Sequence, residues 1–136
     1  MPQQRPRKRP KTFGDLGVLQ REVMAVVWDC GEATVQQVRV VLRRRLAYTT
    51  VLSAMQKLEK AGWLRHRSQG RAYAYRPARS WDTESRLSLR RLLTLVFRGD
   101  RRLLLQRLLD DQELSDDELA ELGALIRRKR KACSRG

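Results

Sequence analysis

The chain has 136 residues, with 30 Lys and Arg against 15 Asp and Glu for a formal net charge of +15, two cysteines and one histidine. At roughly 100–200 residues per domain it is one domain or two very small ones. A lone His66 with Cys30 and Cys133 far apart in sequence offers neither a CxxC element nor a metal or redox centre, so no cofactor is expected. Apolar residues make up 41% of the chain, enough for a core, and the charge far exceeds the magnitude of about 2 to 8 usual for a small soluble domain, so a polyanion is the expected partner.

No run of 18 apolar residues occurs, and no apolar stretch follows the charged N-terminus. The reading is therefore no transmembrane helix and no secretory signal, a cytoplasmic protein with free thiols.

Residues 1–11, MPQQRPRKRPK, hold five basic and no acidic groups with prolines at 2, 6 and 10, which predicts a disordered basic arm. Two uses are open for it: a solubilising tail, or extra phosphate contact on DNA. Residues 12–78 have 11 basic and 5 acidic groups and residues 79–126 have 8 and 10, whereas residues 127–136 form a basic tail with six basic and none acidic.

From Asp15, a candidate N-cap, Leu16, Leu19, Val23, Val26 and Val27 recur at helical spacing up to Gly31, a candidate stop. Thr34 and Gln37 form a capping-box pattern for a second helix, whose apolar face is Val35, Val38, Val41 and Leu42. Arg43, Arg44 and Arg45 end it, where cations suit the helix dipole.

Residues 47–62 predict a third helix, closed by Gly62. With Thr49 at zero, Val51, Ala54, Met55, Leu58 and Ala61 fall in an arc of about 120° to 240°. Thr49, Thr50, Ser53, Gln56, Lys57 and Lys60 lie opposite, with Glu59 on the flank. Hydroxyls, an amide and ammonium groups are the donors and acceptors that base edges and phosphates take. Gln56 suits adenine, Lys57 guanine or phosphate, and Leu52 at the rim either a thymine methyl or the second helix.

WLRHR and AYAYR then read as two short strands joined by Ser68-Gln69-Gly70-Arg71. Arg65, His66, Arg67 and Arg71 form a cationic cluster, with Tyr73 and Tyr75 on one strand face. Three helices followed by a basic hairpin is the order of a winged helix-turn-helix, whose third helix enters the major groove while the hairpin lies over the backbone.

Residues 79–126 are leucine-dense and predict three helices. Trp81, Leu89, Leu92, Leu93, Val96 and Phe97 mark the first; Leu103, Leu104, Leu105, Leu108 and Leu109 the second; and Leu119, Leu122, Leu125 and Ile126, behind a Ser115–Glu118 capping box, the third. So short a segment cannot cover 14 leucines by itself, which points to a homodimer; packing onto the chain's own N-terminal half is the other solution. The fold class is thus mainly α with a small β-hairpin wing: a winged helix domain over 12–78 and a helical dimerisation region over 79–126 that uses Leu89, Leu92, Leu93, Val96, Leu104, Leu108, Leu119 and Leu122.

Two functions fit: a sequence-specific repressor binding double-stranded DNA, or a nonspecific nucleic-acid-coating or ribosome-associated protein that binds by charge. The patterned polar face of the third helix favours the first, since coating needs no ordered display of hydroxyls and amides. A hydrolytic enzyme lacks any catalytic constellation, so none is expected.

The blocks LGVLQREVMAVVW, TVQQV, LAYTTVLSAMQKLEKAGWL, GRAYAYRP and LSDDELAELGALI resemble, in order and spacing, the BlaI/MecI family of penicillinase repressors. The resemblance covers roughly residues 14–126. It implies a dimeric winged-helix repressor on palindromic operators in promoters, with Tyr48, Thr49, Thr50, Ser53 and Lys57 facing DNA and Arg65, Arg67 and Arg71 in the wing. In family members that answer β-lactams, a membrane sensor protease triggers cleavage in the dimerisation region, which implies such a protease as a partner. Where those members have Asn-Phe, this chain has Arg107-Leu108. A copper-responsive branch carries C-terminal CxC motifs, which Cys133 alone does not reproduce.

Overall fold

The computed structural model describes residues 12–42 and 45–134. The basic arm at 1–11, together with Arg43 and Arg44, lies outside the described residues.

Elements follow in the order α1 (Val18–Cys30), β1 (Ala33–Thr34), α2 (Val35–Leu42), α3 (Tyr48–Lys60), β2 (Leu64–Gln69), β3 (Ala72–Pro77), α4 (Trp81–Leu95), α5 (Arg101–Leu109) and α6 (Asp116–Ser134). A 3-10 turn at Phe13–Asp15 precedes α1. The chain divides into two compact units, the first ending at Arg90 and the second starting at Arg91, so the division falls within α4, beyond the end of the sheet.

Asp15 does not cap α1. Its carboxylate turns back to accept from Thr12 within the 3-10 turn, and Gly17 takes the N-cap position instead. Gly31 ends α1 at φ 79°, a conformation that L side chains rarely adopt, and its N–H donates to the Val27 carbonyl at 2.8 Å. The Thr34–Gln37 capping box is reciprocal: Gln37 N donates to Thr34 Oγ1 at 3.2 Å, and Thr34 N to Gln37 Oε1 at 2.8 Å. Val41 departs from the expected apolar face: Val35 and Val38 are buried, whereas Val41 is exposed. Thr34 also pairs with Ala74, and Ala33 with Tyr75, adding β1 to the hairpin as a three-stranded antiparallel sheet of order β1-β3-β2. A two-residue strand carries no periodicity, so nothing in the sequence announced it.

Helix α3 ends in a Schellman motif. Trp63 N donates to Leu58 O at 2.8 Å and Gly62 N to Glu59 O at 3.0 Å, with Gly62 at φ 86°. Val51, Ala54, Met55 and Leu58 are buried as their arc requires, whereas Ala61, at the cap, is exposed. With Val23, Met24, Val27, Val38, Leu64 and Tyr75 they form the core beneath the sheet, and Leu52 packs at its margin. Phe13, Trp28 and Trp63 close one end, with ring centroids 5.4 to 6.4 Å apart. The Arg79 guanidinium stands 4.3 Å over the Trp63 ring, beside the buried carboxylate of Glu84 at 3.9 Å, while the Arg79 carbonyl accepts from Trp28 Nε1 at 2.9 Å.

The second unit contrasts with this. From Arg91 to Ser134 no described residue is buried. Helix α5 is capped by Asp100, which accepts from Leu103 N at 3.0 Å, and Ser115 Oγ accepts from Glu118 N at 3.1 Å at the start of α6. Helix α6 continues through Ser134, so the basic residues 127–131 form its last turns. No described helix is long and apolar enough to cross a membrane.

Candidate nucleic-acid interface

Helix α3 is positioned from both ends. At its start Arg39 Nε reaches from α2 to the Leu46 carbonyl at 2.8 Å and holds the connection from α2. Its far end is fixed by the Schellman motif and the buried Trp63. With Val51, Ala54, Met55 and Leu58 pinned to the core, the 3.6-residue period leaves Tyr48, Thr49, Thr50, Ser53, Gln56 and Lys57 exposed.

Thr49, Thr50, Ser53 and Lys57 line one side of an open cleft of about 600 Å³, and Gly17, Val18 and Gln20 at the start of α1 line the other. Gln56 stands on the same exposed helix but does not line the cleft. The α1 residues were not candidates on sequence grounds, because nothing in their own pattern tells which segment will lie beside the third helix. Helix α3 also starts without a side-chain cap, since Ala47 holds the N-cap position. Glu59 is half-buried on its flank and is engaged by His66 Nδ1 of β2.

The hairpin separates its cations by face, because neighbouring strand residues point to opposite sides. His66 pairs with Tyr75 across the ladder and its ring meets Tyr73 and Tyr75 at centroid distances of 4.7 and 5.6 Å. His66 therefore leaves the expected cationic cluster and lies on the α3-facing side, tied to Glu59. Burial, with the Glu59 charge adding to it, holds the Tyr75 hydroxyl above its ordinary pKa. Arg65 and Arg67 occupy the opposite face. Arg67 is held by Glu32 at 2.6 Å, an ion pair with no local signal in sequence. Arg71 is exposed at the two-residue turn Gly70-Arg71, which Gly70 enters at φ 61°. Among the described residues Lys57, Arg65 and Arg71 make no ion pair, and their charges are uncompensated.

The residues expected in a dimer contact lie on α4, α5 and α6, with Val96 just past the end of α4. Leu89 is exposed in the part of α4 within the first unit. In the second unit Leu92, Val96, Leu108 and Leu119 are exposed, and Leu93, Leu104 and Leu122 are half-buried. Arg107 and Leu108 are exposed in the last turn of α5.

A mainly helical chain whose first three helices are followed by a basic two-stranded wing, the wing strands completing a three-stranded antiparallel sheet with β1, is a winged helix-turn-helix protein. The chain belongs to the penicillinase repressor family, whose pattern matches residues 16–128. The transcriptional regulator BlaI of Mycobacterium tuberculosis, in strains H37Rv and CDC 1551, is 41% identical to it over 70 residues, 49% of this chain and 51% of that protein. The chain thus aligns with about half the length of these curated relatives. Among solved structures, the reduced form of MarR from E. coli is similar at TM-score 0.46 and 20% identity, covering 84% of this chain and 77% of that one. The MarR mutant C80S from E. coli complexed with operator DNA is similar at TM-score 0.47 and 17% identity, covering 84% and 75%. Similarity at this level assigns no residue correspondences.

Proposed function

We propose that this protein is a cytoplasmic transcriptional repressor that binds double-stranded DNA sequence-specifically, as a homodimer, on palindromic operators in promoters. The observation that carries the reading is the exposed face of α3, in which three hydroxyls, an amide and Lys57 project while Glu59 is tied away to His66. Laid in a major groove, that face meets base edges through Thr49, Thr50, Ser53 and Gln56, and Lys57 and Tyr48 reach bases or the bordering phosphates. Arg65 and Arg71 of the wing neutralise flanking phosphates, and Arg67 joins them at the cost of its pairing with Glu32. Family membership supports the same reading.

The dimer rests on the second unit. Helices α5 and α6 and the end of α4 from Arg91, with no buried described residue, cannot repay the entropy of ordering their own chain, so their apolar faces need a partner. Helix α6 suits a second copy of itself. Its first half carries Asp116, Asp117, Glu118 and Glu121 and its second half Arg127 to Lys131, so antiparallel pairing about a two-fold axis sets acid against base at both ends. A two-fold dimer with one α3 per subunit reads an inverted repeat. A sensor protease acting at Arg107-Leu108 would have to open the last turn of α5, a helix with no buried residue and therefore a low cost of local opening.

The test is fluorescence anisotropy on a selected operator and on random duplex. Ser53→Ala and Gln56→Ala are each expected to weaken operator binding by about tenfold while leaving random-sequence binding nearly unchanged. Equal losses on both DNAs would contradict base readout.

A further inference from the structure

We propose that a cleft on the outer side of α1, within the first unit, is a binding site for a small organic cation with an aromatic or branched apolar body. The cleft has a volume of about 390 Å³ and is lined by Phe13, Ala25, Trp28, Asp29 and Trp81. That size is within the range of small-molecule sites, and the chemistry of the lining is specific.

Three aromatic rings border it, and the small Ala25 leaves the space along α1 open. Two of the rings are fixed in place. The Trp28 indole N–H donates to the Arg79 carbonyl at 2.9 Å, and Phe13 lies against Trp28 at 5.4 Å, so their orientation is set before any ligand arrives. Trp81 differs from the other two tryptophans: Trp63 is fully buried and Trp28 half-buried, but Trp81 is 61% exposed at the first position of α4. Among the described residues its ring contacts no other ring and no cation.

Asp29 supplies the charge. It is exposed, and among the described residues it has no ion-pair or hydrogen-bond partner, whereas the neighbouring Glu32 is taken by Arg67. An uncompensated carboxylate beside aromatic faces, in a chain of net charge +15, is complementary to a cation and repels an anion. The net positive charge opposes approach at long range, but at physiological salt it is screened beyond about 8 Å, so Asp29 governs once a ligand is in the cleft. Aromatic faces attract a weakly hydrated quaternary ammonium better than a neutral group of the same shape.

Isothermal titration of the full chain with benzyltrimethylammonium, benzyl alcohol and benzoate tests this. The cation is expected to bind saturably and about tenfold more tightly than benzyl alcohol, with no binding of benzoate. Asp29→Asn and Trp81→Ala, both at exposed positions, are each expected to weaken the cation by about fivefold or more, and Asp29→Asn to leave benzyl alcohol unchanged. The proposal is overturned if the cation does not saturate, if benzyl alcohol or benzoate binds as tightly, or if either variant, with an unaltered thermal transition, keeps the original affinity.

Discussion

The start of α3 separates stability from binding at a single residue. Ala47 occupies the N-cap with extended backbone at φ −66° and ψ 145°, suited to a cap, but it offers no side-chain acceptor. Its carbonyl takes the N–H of Thr50 and of Val51 at 3.0 and 3.3 Å, which leaves the Thr49 N–H for a cap side chain. Ala47→Asp supplies that acceptor for about 1 kcal/mol and places a negative charge at the positive end of the helix dipole for about 0.5 kcal/mol more. For a unit of this size the sum raises Tm by about 6 to 12 °C. The same carboxylate would face the phosphates that border the groove, a repulsion of about 1 kcal/mol and thus about fivefold in Kd. Ala47→Ser provides the cap without the charge and should stabilise by about 1 kcal/mol with DNA affinity intact. Thermal unfolding by circular dichroism and operator titration by anisotropy measure the two effects. An Asp variant no more stable than the parent would refute the capping argument, and one that is stabilised yet binds as tightly as the Ser variant would refute the placement of α3 against phosphates.

Other parts of the structure predict further outcomes. Arg79→Ala removes the cation over Trp63 and leaves Glu84, 6% exposed, without its cation; a loss of about 2 kcal/mol by urea unfolding is expected, reduced from the fully buried case because Arg79 is partly exposed. A loss near zero would mean that Glu84 is satisfied without it. Leu108→Glu and Leu119→Glu place charges among exposed apolar residues of α5 and α6, and sedimentation equilibrium should show each shifting the chain from dimer to monomer; wild-type mass in both would relocate the interface. Because the folded-state pKa of Tyr75 lies above its ordinary value of 10.0, stability is full below about pH 10 and declines as the pH rises past it, when the unfolded chain releases its proton first. Tyr75→Phe should remove that component of the decline in urea titrations between about pH 9 and 11, and identical profiles would contradict it.

The winged domain was legible because its signals are periodic and local. Val51, Ala54, Met55 and Leu58 repeat at helical spacing, and the Thr34–Gln37 box, Gly31 and Gly62 mark boundaries through capping and positive φ. What escaped depends on contacts between segments distant in sequence. The pairing of Ala33 and Thr34 with β3, the Glu32–Arg67 ion pair and the placement of the start of α1 beside α3 have no local pattern. Asp15 suits an N-cap by residue type, but the 3-10 turn takes its carboxylate for Thr12 and leaves Gly17 at the cap of α1. The position of His66 was readable in principle: two-residue alternation sets it opposite Arg65 and Arg67, but adjacency in sequence suggested one cluster. Val41 shows the limit of a wheel on an eight-residue helix, where one residue at the edge of the arc is exposed.

The proposed function depends above all on the polar face of α3 reading base sequence as one of a symmetric pair. In vitro selection from random duplex DNA, with the full chain near physiological salt, tests it most directly, because bulk charge enriches no sequence. An enriched inverted repeat with half-sites about one helical turn apart is the expected result. Tight low-salt binding with no enriched sequence would contradict it and would leave a protein that coats nucleic acid by charge.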